Sequence, residues 1–329
     1  MKSIQEEDSK NKYLPWIEKY RPSNLDEIVG QNNNIECIEK LIQGESLPHL
    51  LFYGNSGTGK TSTILSIVKR LFGNKRGFTV MKLDASDDRG INSVRDEIKG
   101  FAEKKNIFNR GIKLIILDEA DSMTFDAQFA LRRIIEKYSD NTRFCFICNY
   151  ENKIIPAIKS RCANFRFNPI DNNVIKKKLK EICKFENLKT EKKVLKSIGE
   201  LSNGDLRKAI NLLQSCSMRN NMITEKLIYE TAGIPNKKEV DNIIKILTNK
   251  KLSFNETYEK LNKIFNEGYS VSVVLKKIFL QIYNNKKIVK SKNFSYLISD
   301  LADLESMVSK STFGDLYFSA LIAIFFKYR

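Results

Sequence analysis

No apolar run in this chain approaches the roughly 20 residues that a helix needs to cross a bilayer. The first eight residues, Met1 to Asp8, are rich in charge and lack the apolar stretch of a signal peptide. These absences exclude the membrane-spanning class and lead us to expect a soluble intracellular protein. Cysteine is sparse and unpatterned. Cys37, Cys145, Cys148, Cys162, Cys183 and Cys216 show none of the framework of a secreted disulfide protein. Cys145 and Cys148 do spell C-x-x-C, but inside the apolar run Phe144-Cys145-Phe146-Ile147-Cys148. In a strand, an offset of three sends the two thiols to opposite faces, so they can neither chelate one ion nor close a disulfide. Buried, inert thiols are expected. Histidine is nearly absent: His49 precedes the first apolar run with no neighbour that suggests chemistry, and a structural role is expected.

Positive charge, by contrast, is abundant. The 329 residues carry a formal net charge of +17, which favours a polyanionic partner, with nucleic acid the natural candidate. Residues 1–170 hold a net +5 and residues 171–329 a net +12. Much of the C-terminal excess is lysine amid asparagine and isoleucine, as at Lys176-Lys177-Lys178. A binding stripe and plain solvated helix faces both fit that composition. With 42% hydrophobic residues the chain can bury a substantial core, and its length allows more than one domain.

The most specific pattern is Gly54-Asn55-Ser56-Gly57-Thr58-Gly59-Lys60-Thr61, which fills every slot of G-x-x-x-x-G-K-[ST]. Leu50-Leu51-Phe52-Tyr53 before it reads as a buried strand; Ile64, Leu65, Ile67, Val68 and Leu71 after it recur at helical spacing. In that setting the glycines let backbone N–H groups wrap a triphosphate, and the helix N-terminus adds a favourable dipole. Lys60 would reach the β and γ phosphates, and Thr61 would ligate Mg²⁺. A second motif follows the apolar run Lys113-Leu114-Ile115-Ile116-Leu117, namely Asp118-Glu119-Ala120-Asp121. An unpaired carboxylate at the end of a buried strand is costly. A magnesium ion held by Asp118 removes that cost, and Glu119 is then placed to polarise the attacking water. An acidic helix cap is the plainer alternative.

Apolar runs alternate with helical patterns up to about residue 167. Strands are predicted at 50–53, 79–83, 113–117, 143–148 and 164–167, and helices near 57–72, 91–103, 125–138 and 152–159. That alternation argues for an α/β fold with a parallel sheet between helices, whose ligands bind beyond the carboxyl ends of the strands. The pattern changes at Asn168-Pro169. Beyond it no convincing strand is found, and Ile175, Leu179 and Ile182, then Val194, Ile198 and Leu201, then Leu206, Ile210 and Leu213 lie on helical faces. Gly233-Ile234-Pro235 marks another break, followed by amphipathic helices around 238–248, 254–267, 270–285, 293–309 and 312–328. We therefore expect a nucleotide-binding domain (1–167), an all-helical second domain (168–232) and a terminal helical bundle (233–329). The bundle has no catalytic-looking constellation, so an interaction role is expected there.

These residues resemble the AAA+ clamp-loader ATPases, and within them the small subunits of replication factor C. The matching stretches are Leu14 to Pro22, Gly54 to Thr61, Ala85-Ser86-Asp87-Asp88-Arg89-Gly90, Asp118 to Asp121, Ala130-Leu131-Arg132-Arg133, Ser160-Arg161-Cys162 and Gly204-Asp205-Leu206-Arg207. They span about the first two-thirds of the chain, in family order. Asn141 to Tyr150 looks nearest to the branch called five in animals and three in budding yeast. The resemblance implies an AAA+ P-loop domain, a helical lid and a helical collar, with ATP and Mg²⁺ as cofactors. It implies that Asn149 is sensor 1, at the γ-phosphate or attacking water, and that Arg207 is sensor 2, reaching from the lid. Arg161 matches an arginine finger that enters the neighbouring subunit's site. Trp16, Tyr20, Arg21 and Pro22, with Ile28, Val29 and Gly30, match the segment that lines the adenine, and Ser62 extends the phosphate loop. Arg95, on a helix for which Asp87 and Asp88 offer N-caps, matches a DNA-contacting position, with Arg89 a second candidate. Residues 102–113, including Ile107 and Phe108, correspond to the region touching the sliding clamp, although core packing also fits that apolar pair.

Two departures stand out. Asn55-Ser56 replaces the family's frequent Pro-Pro, and Asp84 stands where asparagine is usual; neither removes a catalytic group. The function implied is ATP binding and hydrolysis in a hetero-pentamer of four further related subunits, which opens a sliding clamp and loads it on primer–template DNA in the nucleus. Rivals are an ATP-binding scaffold with little turnover, an alternative loader serving checkpoint or cohesion, and a helicase. The helicase class needs a second RecA-like domain, which the all-helical residues 168–329 do not supply.

Overall fold

The strands form where the apolar runs are continuous. The computed structural model describes residues 14–44, 47–73, 76–85, 91–104, 112–191, 193–219, 222–266, 268–284, 294–310 and 314–328. The chain divides into two compact units, Met1–Ser217 and Met218–Arg329.

In the first unit, a short helix α1 (Trp16–Lys19), a 3₁₀ turn (Leu25–Glu27) and α2 (Asn32–Gln43) lead into β1 (His49–Gly54) and α3 (Lys60–Phe72). Then come α4 (Arg76–Thr79), β2 (Val80–Asp84), α5 (Ile91–Glu103), β3 (Lys113–Asp118), α6 (Phe125–Tyr138), β4 (Thr142–Cys148), α7 (Pro156–Lys159) and β5 (Cys162–Phe167). The five strands are all parallel, in the order β2-β3-β4-β1-β5. Successive residues of each strand feed opposite faces. Leu50, Phe52, Leu114, Ile116, Cys145 and Ile147 join Ile38, Ile64 and Ile67 in one core layer. Leu51, Ile115, Leu117, Phe144, Phe146 and Cys148 join Ile98, Ile134 and Ile158 in the other. Cys145 and Cys148 thus part to opposite sides of the sheet, as the offset of three requires. All six cysteines are free, and all but Cys37 are buried.

Helical pieces depart from the sequence reading in several places. The helix expected from residue 57 begins only at Lys60, because Gly57 (φ 65°) and Gly59 (φ 100°) hold the left-handed backbone of the loop. The helix expected over 152–159 is split into a 3₁₀ turn, Glu151–Lys153, and α7, since Pro156 forces Ile155 into an extended conformation (ψ 145°). The helix α2 was not anticipated.

After β5 follow α8 (Asn172–Phe185), α9 (Val194–Ser202) and α10 (Leu206–Arg219). Asn203 (φ 51°) and Gly204 (φ 82°) make the break between the last two, and a Cβ on Gly204 would stand 2.5 Å from Pro169 Cβ. In place of no strand beyond Asn168, two extended pieces occur, Lys189–Thr190 and Met222–Ile223. Each is two residues long, too short for periodicity to register.

The second unit holds α11 (Glu225–Ala232), α12 (Lys237–Thr248), α13 (Phe254–Phe265), α14 (Val271–Asn284), α15 (Phe294–Lys310) and α16 (Gly314–Tyr328). Capping boxes start α12 (Asn236 with Glu239) and α13 (Ser253 with Glu256), each satisfying otherwise orphaned N–H groups. Val240, Ile243, Leu261, Ile278, Leu301 and Leu321 centre its own core. None of the helices among the described residues is long and apolar enough to cross a membrane.

Candidate nucleotide-binding site

The cleft at the carboxyl edge of the sheet is built by the strand order. Insertion of β4 between β1 and β3 puts Asn149, just past β4, between the loop that follows β1 and Asp118 at the end of β3. With neighbouring strands ~4.8 Å apart, the β1 and β3 ends stand about 10 Å from each other, room for a phosphate group and a water. The cleft is lined by Ser56 to Ser62, Asp118, Glu119, Ile147, Cys148 and Asn149 from this edge. Ile17, Tyr20, Arg21, Pro22, Ile28 and Val29 from the N-terminal segment line it as well, and Ile170, Leu206, Arg207 and Ile210 complete it.

The loop depends on its glycines. At Gly54 (φ 138°) a Cβ would lie 2.2 Å from Phe167 O, and at Gly57 it would lie 1.7 Å from Asp205 Oδ1. Thr58 Oγ1 donates to Asn55 O at 2.8 Å and braces the turn from within. Lys60, buried, donates from Nζ to Gly54 O (2.6 Å), Asn55 O (2.8 Å) and Asn149 Oδ1 (3.0 Å). Burial pulls its ammonium below the ordinary lysine value, while the carboxylates of Asp118 and Asp121 oppose that shift.

Asp118 is the hub of the acidic side. Its Oδ2 accepts from Thr61 Oγ1 at 3.2 Å and faces Lys82 Nζ at 3.5 Å; its Oδ1 accepts from the Glu119 N–H at 3.1 Å. Lys82 also stands 3.6 Å from Asp84, the residue directly across from Asp118 in the β2–β3 ladder. The negative charge of Asp84 therefore has a local counter-ion. Thr61 Oγ1 and Asp118 Oδ2 are hard oxygen donors side by side, the set that suits magnesium when phosphates and water supply the remaining ligands. Glu119 is exposed and holds a left-handed backbone (φ 53°), uncommon for a non-glycine residue and a mark of functional turns. Asp121 accepts from the N–H groups of Asn149 and Tyr150, each at 3.2 Å, and so fixes the start of the turn after β4.

The helical segment meets the loop directly. The Leu206 N–H donates to Gly57 O at 3.2 Å, and Asp205 caps α10 through the Lys208 N–H at 2.9 Å. Arg207 is thereby exposed on the first turn of α10 at the cleft wall. Trp16 is not among the lining residues. It packs edge-on against Tyr20 (ring centroids 6.4 Å apart, planes at 86°), and its backbone N–H donates to Gln214 Oε1 at 3.1 Å. Ile17, Ile147, Cys148, Ile170, Leu206 and Ile210 line the cleft without having been assigned to it from sequence, where they read as core positions or as parts of longer stretches.

Arg161 lies elsewhere. The β1–β5 ladder runs from His49 opposite Cys162 to Gly54 opposite Phe167, so Arg161 precedes the end remote from the phosphate loop. At about 3.3 Å per residue that is about 20 Å along the strand. Its guanidinium donates to Ala157 O (2.7 Å) and to the Glu136 carboxylate, which Arg132 also engages at 3.0 Å. Arg95 falls on the first turns of α5. Arg89 and the pair Ile107 and Phe108 lie outside the described residues. His49 is structural: its buried Nδ1 accepts from the Phe144 N–H at 3.2 Å, and burial, then Arg143, pushes its pKa down to about 4.

The chain is similar to known proteins over most of its length. Residues 50–170 match the family model for AAA, the ATPase family associated with various cellular activities. Residues 177–218 match the RCF1/5-like AAA+ ATPase lid domain, and residues 235–323 the replication factor C C-terminal domain. Replication factor C subunit 5 of Mus musculus is 42% identical over 314 residues, covering 95% of this chain and 91% of the relative. Replication factor C subunit 3 of Saccharomyces cerevisiae is 40% identical over 314 residues, covering 94% and 92%. Among solved structures, the Holliday junction branch migration motor RuvB of Thermotoga maritima has a TM-score of 0.53 at 17% identity, over 78% of this chain and 91% of that one. That likeness is one of fold.

Proposed function

The chain belongs to the replication factor C subunit family of AAA+ ATPases, and from that premise we propose that it is an ATP-hydrolysing subunit of a hetero-pentameric clamp loader. With four related subunits it would open a ring-shaped sliding clamp and set it on primer–template DNA. The eukaryotic relatives support a nuclear location. The three family-model matches support a reading as AAA+ domain, lid and collar, with boundaries near residues 167 and 232.

In this reading the phosphates take the place of the Gly54, Asn55 and Asn149 oxygens around Lys60. The loop N–H groups from Ser56 to Ser62 cradle them, and Tyr20, Arg21, Ile28 and Val29 enclose the base with Trp16 behind. Magnesium, held by Thr61 and Asp118, would neutralise charge on the β and γ phosphates. Glu119 polarises the attacking water, Asn149 orients it, and Arg207 carries the nucleotide state to the lid. Arg95 and Arg89 contact DNA phosphates, and residues 102–113 meet the clamp.

The observation that carries the reading is the split between Lys60, Asp118 and Asn149, which converge on one cleft, and Arg161, which is about 20 Å along β5 from it. A site that has its own water-polarising carboxylate, and from which Arg161 stands apart, is completed by a neighbour's arginine, while this chain's Arg161 serves another site. In the reconstituted complex, Lys60→Ala should weaken ATP binding at this subunit's own site more than tenfold. Arg161→Ala should leave that site occupied and slow hydrolysis in the adjacent one by about 10²-fold or more. Undiminished occupancy in the first case, or unchanged turnover next door in the second, refutes the assignment. Single-turnover hydrolysis at this site separates it from a scaffold role.

A further inference from the structure

The segment that closes the base end of the cleft cannot hold itself in place. Helix α1 is four residues long, has no side-chain N-cap and buries none of its residues. A helix of that length has no intrinsic stability. Its position must come from what it is tied to, and the ties lead to the helical segment after β5.

Glu186 terminates α8, its N–H bonded to Ile182 O and Lys184 O. A carboxylate there faces the negative end of the helix dipole, an unfavourable place unless a cation offsets it. Lys19 supplies one, with Nζ 2.6 Å from Glu186 Oε1. The Tyr20 hydroxyl donates to the same oxygen. Burial alone would raise the Glu186 carboxyl, but the Lys19 and Tyr20 hydrogen bonds outweigh it and leave the group below the ordinary glutamate value. Burial and the adjoining carboxylate raise the Tyr20 hydroxyl far above its usual range, so it stays a donor. The Phe185 ring, 75% exposed, lies 6.4 Å from that of Tyr20. A second tie runs from the Trp16 backbone N–H to Gln214 on α10, the helix that also brings Leu206, Arg207 and Ile210 to the cleft.

We infer that Glu186 is a positioning residue for nucleotide binding: by latching Lys19 and Tyr20 to the end of α8 it fixes the wall against which the base packs, and makes base affinity depend on where the helical segment stands. The inference rests on the nucleotide-cleft reading above. Glu186 is not among the lining residues and acts through Tyr20, which is. The phosphate loop is held by separate contacts and needs no latch. Loss of Glu186 should therefore weaken ligands that carry a base and spare those that are phosphate alone.

The test is equilibrium binding of ATP and of inorganic tripolyphosphate, both with Mg²⁺, to the full chain and its variants. Glu186→Ala should raise the Kd for ATP by about tenfold, because the Tyr20 and Lys19 donors lose their acceptor. The tripolyphosphate Kd should move by less than about twofold. Tyr20→Phe and Glu186→Gln, which disturb packing least, should give smaller losses of the same kind. Adding Glu186→Ala to Tyr20→Phe should cost less than it does alone, since the two share one contact. Equal loss of both ligands, or an unchanged ATP Kd in all three variants, overturns the latch. Failure of the cleft reading looks different: ATP and tripolyphosphate would bind Lys60→Ala as well as the unaltered chain.

Discussion

A single hydrogen atom at position 57 decides how the phosphate loop and α10 meet. Gly57 holds φ 65°, a backbone that costs an L-residue about 1–2 kcal/mol. A methyl there would also fall 1.7 Å from Asp205 Oδ1, which is engaged in capping α10 through the Lys208 N–H. Moving Asp205 aside forfeits the cap, worth about 1 kcal/mol, and draws Leu206 away from Gly57 O. Gly57→Ala should therefore weaken ATP binding more than about tenfold and lower the melting temperature by several degrees. Calorimetric titration with ATP and a thermal melt measure the two effects. Unchanged affinity would mean that the contact between the loop and α10 is incidental. Position 54 is less forgiving although the approach there is 2.2 Å, because the clash is with the Phe167 carbonyl, a backbone atom that cannot rotate away.

Among the elements, α5 shows how a buried charge can serve order. Lys113, at the start of β3 and 3% exposed, donates from Nζ to Phe101 O (2.8 Å), Ala102 O (3.4 Å) and Lys104 O, carbonyls at or just past the C-terminal end of α5. Burial lowers the Lys113 ammonium from its ordinary value, with Lys104 adding to the shift, yet the helix dipole and three acceptors suit a cation. Lys113→Met fills the same space without the donor and should cost about 2–4 kcal/mol in a denaturant melt. Faster amide exchange should be confined to the last turn of α5, and uniform acceleration across the sheet would argue against a local cap. The strands themselves were legible to within one or two residues, since runs such as Leu114 to Leu117 are buried on both faces and carry only one period. Helix α2 was hidden because it opens on Asn32-Asn33-Asn34, residues that favour turns, and only Ile35 and Ile38 of its face are buried. Of the cleft lining, Ser56 to Thr61 and Asp118 could be picked out in the sequence because the motifs that hold them fix residue type at set spacing. The contact of Glu186 with Lys19 and Tyr20 spans more than 160 positions and dictates no local pattern. Only the fold brings those residues together.

At the scale of the whole molecule, the second unit keeps an apolar core to itself. Every member of the core centred on Ile243, Ile278 and Leu321 lies between Val240 and Phe325, within Met218–Arg329. That core is closed by bonds of its own: Gln281 to Asp241 at 2.7 Å, Tyr269 to Glu239 at 3.0 Å, and Lys327 and Tyr328 to Asp300, each at 2.8 Å. Two capping boxes fix where α12 and α13 begin. A segment with an apolar core, local caps and a length near 100 residues meets the conditions for folding alone. A fragment of residues 234–329 should give a helical circular dichroism spectrum and one cooperative thermal transition. A gradual melt with strong dye binding would show instead that this core borrows its order from the rest of the chain. If the proposed collar role is right, the same fragment should join the partner subunits with no dependence on ATP, since no residue of the nucleotide cleft is in it. Assembly that required ATP would place the oligomerising contacts in the first unit and leave the second without the task assigned to it.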